Sequence, residues 1–198
     1  IQSAILHGDT ETGVSLMLMD EQIDHGPIIQ RTKYKIQDKR LTYEELSTEL
    51  AFLGADLIIK TVPQFLKGKI SPVLQDHSLA TYCQKILPED EKIQWNETNI
   101  QIDRKVRALN PHPGVYTKTV NSEGNELILK IIKGYPENKE SLEQTSGKVF
   151  NFQNKMAVKC GKGFYVIEQI KPAGKKTMPS EDFLRGNHWI LNQILNSN

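Results

Sequence analysis

Cysteine is nearly absent from this sequence. Its 198 residues include two, Cys83 and Cys160. They lie far apart, and neither is flanked by a second cysteine or a histidine, so there is no metal-ligand spacing and no disulfide framework. Reduced thiols, as is usual in the cytosol, are expected. No apolar run approaches the ~20 residues a membrane-spanning helix needs, so no membrane partner is expected. No basic-then-apolar secretory leader is visible. There is no internal repeat and no low-complexity tract, which sets aside solenoids and disordered arrays. His7, His77, His112 and His188 are dispersed, away from any acid or cysteine cluster, so no metal site is assigned. Asp20, Glu21 and Asp24 are spaced too irregularly for a hard-cation loop.

The composition that is present is ordinary globular material, 38% hydrophobic and 25% charged, over a length that allows one or two domains. Formal net charge is +1, but it is unevenly spread. Residues 1–100 hold 10 Lys+Arg and 15 Asp+Glu, net −5, and residues 101–198 hold 15 and 9, net +6. This asymmetry suggests that the second half meets a polyanion and the first does not.

Hydrophobic periodicity divides the chain into elements. Ile1 to His7 is helix-like and stops at Gly8. The apolar run Val14–Met19 reads as a strand covered on both faces. From Ile28 to Ile36 the pattern alternates, with Ile28, Thr32, Tyr34 and Ile36 on one side and Arg31, Lys33 and Lys35 on the other. Thr42-Tyr43-Glu44-Glu45 is a capping box that starts an amphipathic helix over about 42–62, with Pro63 predicted to kink or restart it. Residues 69–95 lack a clear period and read as a linker, anchored by Tyr82 and Trp95. Asn96 is a candidate cap for a helix over 97–109. Strand-like runs follow at Val115–Val120, Leu127–Lys133, Lys148–Phe152, Met156–Cys160 and Phe164–Ile170, separated by turns that include Gly134 to Gly147. Five short strands with glycine-rich turns suit a small barrel such as an OB-fold. Ser180 is predicted to cap a last helix, after which Trp189, Ile190, Ile194 and Leu195 pack back on the barrel.

Two places could carry chemistry. The first is the stretch between the first two strands, Asp20-Glu21-Gln22-Ile23-Asp24-His25-Gly26-Pro27. Strand ends joined by loops are where open α/β sheets present ligand-binding and catalytic side chains. Asp24 precedes Gly26, where the backbone can turn sharply. The second is Lys175-Lys176, held at a loop tip after Pro172-Ala173-Gly174, where ammonium groups can meet phosphates without burial. Arg104, Lys105 and Arg107, with Lys171, are secondary candidates for the same role.

The run Gly8-Asp9-Thr10-Glu11-Thr12-Gly13-Val14 to Met19-Asp20, with Asp24-His25-Gly26-Pro27, resembles the second half of a folate-dependent formyltransferase domain. Arg107-Ala108-Leu109-Asn110-Pro111-His112-Pro113-Gly114 and Lys171-Pro172-Ala173-Gly174-Lys175-Lys176-Thr177-Met178 resemble the C-terminal domain of the methionyl-tRNA formyltransferases, and these two motifs separate them from their glycinamide-ribotide relatives. The resemblance covers nearly the whole chain. It implies a partial α/β, Rossmann-like formyltransferase domain over residues 1–68, a linker over 69–95, and an OB-like β-barrel that binds tRNA over 96–198. It implies 10-formyltetrahydrofolate as co-substrate, methionyl initiator tRNA as partner, no metal, a cytoplasmic setting and a monomer. Asp24 matches the family's late catalytic Asp, which orients a His or a water. Asp20, Glu21, Gln22, Ile23, His25 and Gly26 match the loop that lines the pterin pocket. The Lys-bearing motif matches the tRNA-facing surface. The family's Asn-x-His pair and Ser-Leu-Leu-Pro loop do not precede Asp24 here, and residue 1 is Ile within an expected helix. The chain is therefore expected to be a fragment with negligible transfer of its own. A formyltransferase acting on an amino sugar-nucleotide, and a non-catalytic tRNA-binding remnant, are the alternatives.

Overall fold

A hairpin organises the first half of the chain. The computed structural model describes residues 1–139 and 145–196. In it, β1 (Glu11–Met17) and β2 (Ile28–Lys35) form a two-stranded antiparallel sheet, Glu11 opposite Lys35 and Leu16 opposite Gln30. Gly13 lets the strands close: a Cβ there would sit 2.3 Å from the Thr32 carbonyl oxygen. The alternation predicted for β2 is present, with Ile28, Thr32 and Tyr34 half-buried and Arg31, Lys33 and Lys35 exposed. The expectation for β1 is corrected. Its apolar run predicts cover on both faces, yet Glu11, Gly13 and Ser15 are exposed while Thr12, Val14 and Leu16 are half-buried. Among the described residues one helix covers the hairpin, and it covers one side.

That helix is α2 (Tyr43–Leu66), which packs on both strands. Its start follows the predicted capping box: Glu45 N–H donates to the Thr42 hydroxyl, and Thr42 N–H donates to the Glu45 carboxylate. Leu46, Leu50 and Leu57 are buried at helical spacing. The helix does not restart at Pro63 and continues to Leu66. Pro63 lies in the last turn, where its missing N–H costs one bond, to Ile59 on the exposed side. Gly68, at φ 68°, ends the segment. A short helix, α1 (Gln2–His7), precedes the hairpin and is closed by Gly8 at φ 73°.

The stretch after α2 turns back. Val73 and Ile28 exchange two backbone hydrogen bonds of 2.8 and 2.9 Å, laying this segment beside β2. Ser3–Lys85 forms one compact unit and the chain from Ile86 onward a second. Of the two expected anchors of the linker, Trp95 is buried and its indole N–H donates to Thr117 Oγ1 at 3.0 Å. Tyr82 is 92% exposed and anchors nothing.

In the second unit, α3 (Asn99–Leu109) starts two residues later than predicted and is capped by Thr98, not Asn96. Thr98 has Gln101 three residues on and completes a capping box that Asn96 cannot make. Ile102, Val106 and Leu109 are buried as expected. The sheet contains β3 (Val115–Val120), β4 (Glu126–Glu137), β5 (Val149–Phe152), β6 (Lys155–Lys159), β7 (Phe164–Pro172) and β8 (Met178–Pro179). Its order is β3-β4-β7-β6-β5, all antiparallel, with β8 beside β7. It is a curled sheet whose outermost strands, β3 and β5, do not pair with each other among the described residues.

Gly134, expected in a turn, lies inside β4 at a register shift against β7, where a Cβ would meet the Val166 carbonyl oxygen at 2.4 Å. Residues 140–144, part of the same expected turn, lie outside the described residues. Phe164, Val166 and Ala157 form a core cluster against Tyr135, Phe150 and Phe152, with Phe164 edge-on to both other phenylalanines. Ser180 caps nothing. Pro179 holds the N-cap position of α4 (Ser180–Gly186), and the buried Ser180 hydroxyl donates to Ile167 O at 2.5 Å and accepts from Met156 N at 3.3 Å, joining β6 to β7. After α4, Ile190 and Leu195 are buried, Trp189 is half-buried and Ile194 is 40% exposed.

Candidate functional site

The hairpin loop from Leu18 to Pro27 is held at both ends. Leu18 N–H donates to Pro27 O at 2.9 Å. Gly26 is buried so tightly that a Cβ would lie 1.8 Å from the Leu18 carbonyl oxygen, so only glycine fits. Within the loop, Asp20 accepts from Gln22 N–H through Oδ1 at 3.0 Å and meets His25 Nδ1 through Oδ2 at 2.7 Å. The His25 contact, ahead of the Gln22 N–H, holds the Asp20 carboxyl below the usual carboxylate range. An ionised Asp20 can only accept, which puts a proton on His25 Nδ1. Asp24 has a left-handed backbone, φ 54°, and its side chain is exposed.

Asp24 lines a cleft of about 970 Å³ together with Gln22, Ile23 and His25 of the same loop, Arg31 of β2, and Gln75 and His77 from the segment after α2. From sequence alone Gln75 has no assigned role and His77 is one of the dispersed histidines. Gln75 donates its side-chain amide to the carbonyls of Asp24, at 2.9 Å, and Gly26, at 2.8 Å. The His77 ring stacks on His25 with centroids 3.8 Å apart and planes 3° from parallel. Asp76 caps the turn carrying His77 by accepting from Ser78 N–H and Oγ–H, and the Ser78 hydroxyl contact, first, lowers its carboxyl pKa. Nothing in the spacing of residues 69–80 signals the contacts of Gln75 and His77 with the loop, because they form across about fifty residues of chain. Asp20, Glu21, Gln22, Ile23, Asp24, His25 and Gly26 are on one loop, of which Gln22, Ile23, Asp24 and His25 line the cleft. No cluster of three or more His, Cys, Asp or Glu arranged to hold a metal is present among the described residues.

The candidate phosphate-binding residues divide into two groups. Lys175 and Lys176 are exposed beside a tight turn in which Lys175 N–H donates to Pro172 O at 3.0 Å and Gly174 takes φ 73°, as a type II turn requires. Lys171 is exposed on β7 at the foot of that turn and faces Lys130 of β4 directly across the ladder. Lys130 belongs to this basic surface and is missed from sequence alone, because only the β4–β7 register brings it there. Like charges directly opposite one another on a sheet are destabilising unless a partner neutralises them.

The helix arginines are differently placed. Arg107 Nε donates to Asp103 Oδ2 at 2.7 Å, and the two side chains are 12% and 7% exposed, so its guanidinium is committed to an internal ion pair. Arg104 is half-buried, and Lys105 approaches Glu97 at 3.8 Å. Asn110, within the stretch Arg107–Gly114, donates its side-chain amide to Val106, Ile131 and Ile132 carbonyls at 2.9 to 3.1 Å, which ties the end of α3 to β4.

These features can be set beside known proteins. A family model described as "Formyl transferase" matches residues 1–62, and one described as "Formyl transferase, C-terminal domain" matches residues 85–188. The methionyl-tRNA formyltransferase of Rickettsia africae is 33% identical over 195 residues, 98% of this chain and 61% of that protein. This chain thus spans about three-fifths of the length of that relative. Among solved structures, HypX from Aquifex aeolicus in complex with tetrahydrofolic acid has a TM-score of 0.64 at 19% identity, covering 92% of this chain and 31% of that one. The N-formyltransferase from Helicobacter canadensis, in complex with folinic acid and dTDP-3-aminofucose, has a TM-score of 0.61 at 22% identity, covering 83% and 58%. With an N-terminal and a C-terminal domain model matched in chain order, this chain belongs to the formyl transferase family.

Proposed function

We propose that this chain is a portion of an enzyme that moves a formyl group from 10-formyltetrahydrofolate to the amine of methionyl initiator tRNA. The observation that carries the reading is Asp24, held at the end of a hairpin and opening on a cleft, in a chain 33% identical to a methionyl-tRNA formyltransferase over 195 residues. An amine attacking a formyl carbon forms a tetrahedral oxyanion and must lose a proton. In this reading the Asp24 carboxylate orients the group that takes that proton. The backbone of residues 20–26 offers donors and acceptors to the pterin edge, and His25 closes one side of the pocket.

The second unit is read as an OB-like barrel in a cytoplasmic, monomeric protein. Lys175, Lys176 and Lys171, joined by Lys130, are read as its phosphate contacts. Arg104 is kept as a secondary contact, while the Asp103 ion pair argues that Arg107 stabilises α3 instead. Residues 1–23 contain no Asn-x-His pair, so in this reading the oxyanion donors are not among residues 1–198 and turnover by these residues alone should be low. Loss of even one such donor costs about 10²–10³ in rate.

The test is binding of the chain to methionyl initiator tRNA across a salt series. The double substitution of Lys175 and Lys176 to Ala should weaken binding and lower the salt slope by about one to two units. An unchanged slope rejects the assignment. The likeness to a sugar N-formyltransferase fold keeps a second reading alive. Saturable binding of a dTDP-amino sugar, with no preference for initiator tRNA over bulk RNA, would favour it. Initiator tRNA binding with no affinity for folinic acid would favour a non-catalytic tRNA-binding remnant.

A further inference from the structure

We propose that Gln75 and His77 are positioning residues that clamp the hairpin loop and hold Asp24 in its left-handed backbone conformation. This rests on the reading of Asp24 as the catalytic carboxylate. A non-glycine residue at φ 54° is disfavoured by roughly 1–2 kcal/mol and persists only where its surroundings impose it. The contacts of the loop itself are insufficient for that. Asp20 ties Gln22 and His25 together, but among the described residues no hydrogen bond from within the loop reaches the Asp24 backbone.

Gln75 supplies what is missing. Its amide nitrogen carries two hydrogens, and it reaches the carbonyls of Asp24 and Gly26 together, at 2.9 and 2.8 Å. One nitrogen can bridge carbonyls two residues apart only where the chain folds back between them, at His25, and the bond to the Asp24 carbonyl fixes the peptide plane that directly follows the left-handed Asp24. The His77 ring then covers His25, the residue inside that fold-back. Both side chains are placed by backbone. The paired hydrogen bonds between Val73 and Ile28 fix Gln75 two residues on, and the turn capped by Asp76 fixes His77. The segment that reads from sequence as a plain linker therefore sets the direction of the carboxylate.

The test uses the chain as it stands, isotopically labelled, with Gln75→Glu and Gln75→Lys. Glutamate keeps the shape but turns an acceptor toward two acceptors, whereas lysine keeps a donor. Amide exchange at residues 24–26, the Asp24 N–H to Hα coupling and the affinity for folinic acid are measured in each, beside the melting temperature. Gln75→Glu should raise exchange at residues 24–26 and weaken folinic acid binding, each about tenfold, with the melting temperature unchanged. Gln75→Lys should retain most of the wild-type values, a rescue that mere filling of space does not predict. His77→Ala should give a smaller change in the same direction. Unchanged exchange and coupling in Gln75→Glu overturn the proposal. A wild-type chain that binds no folinic acid, but whose loop still loosens in Gln75→Glu, upholds the clamp while removing the folate reading of the pocket.

Discussion

The two cysteines show how far burial alone separates like residues. Cys160 has no exposed surface, and burial pushes its thiol up to about 12, while Cys83 is exposed. A maleimide should label one thiol per native chain, at Cys83, and a second only after unfolding, as mass spectrometry would count. The sign of the linked pH effect follows. Between the ordinary value of 9.0 and about 12, the unfolded chain loses the Cys160 proton and the folded chain keeps it. Each pH unit in that window should therefore remove up to about 1.4 kcal/mol of stability, and Cys160→Ala should flatten that alkaline limb in denaturant titrations. At the same scale, residue type and spacing place Asp24 in a turn before Gly26 and the Lys pair beside a turn, while the roles proposed for them rest on the family resemblance. The fate of Arg107 is not, because an arginine three residues from another on a helix looks equally fit for a phosphate until Asp103 is seen to hold it.

At the scale of elements, capping chemistry is local and most of it can be read in advance. The Thr42–Glu45 box stands as predicted, and Thr42→Ala should cost about 1 kcal/mol, measured as a lower midpoint for the unit that contains α2. Ser180 is the counterexample. Its position before two acids marks it as a cap, yet its hydroxyl bridges Ile167 and Met156 in the core. Ser180→Ala should cost about 1–3 kcal/mol, in the second unit, because it leaves the Met156 N–H buried without its acceptor. Pro63 does not restart the helix: it removes one bond, to the Ile59 carbonyl, and the helix runs on to Leu66. The long β4, running through Gly134, fails as a turn because the β7 backbone lies where a side chain would be, and glycine is needed for contact and not for turning.

Taken whole, the described chain is unevenly filled. Of its buried apolar residues, five lie at or before Leu57 and twenty-three at or after Ile93. Phe52, Ile59 and Leu66 of α2 are 72 to 77% exposed, so the first unit leaves apolar surface in water. Stability scales with the apolar area removed from water, so the two units should not melt together. Calorimetry of residues 1–198 should show a low transition from the first unit and a higher one from the second. Residues 86–198 alone should retain the upper transition within a few degrees. A single cooperative transition would show instead that the two units depend on each other. No described helix is long and apolar enough to cross a membrane.

The sequence by itself determined the local features: the hairpin loop with Asp24 before an obligatory glycine, the Thr42 box, the apolar stripe of α3, the lysine-bearing turn after Pro172, and the likeness to formyl transferases. Each depends on residues within a few positions of one another, whose periodicity and turn chemistry are written along the chain. Tertiary structure alone decided that Gln75 and His77 reach the Asp24 loop, that Lys130 stands opposite Lys171, and that Arg107 and Ser180 turn inward. Those contacts join residues from about fifty apart, as with Gln75 and Asp24, to a single turn apart, as with Arg107 and Asp103. For Lys130 and Ser180 the partner is chosen by which strands and segments pack together and in what register, which leaves no periodic mark on the sequence; for Arg107 the helical spacing to Asp103 is written in the chain, and only the burial of that pair is not.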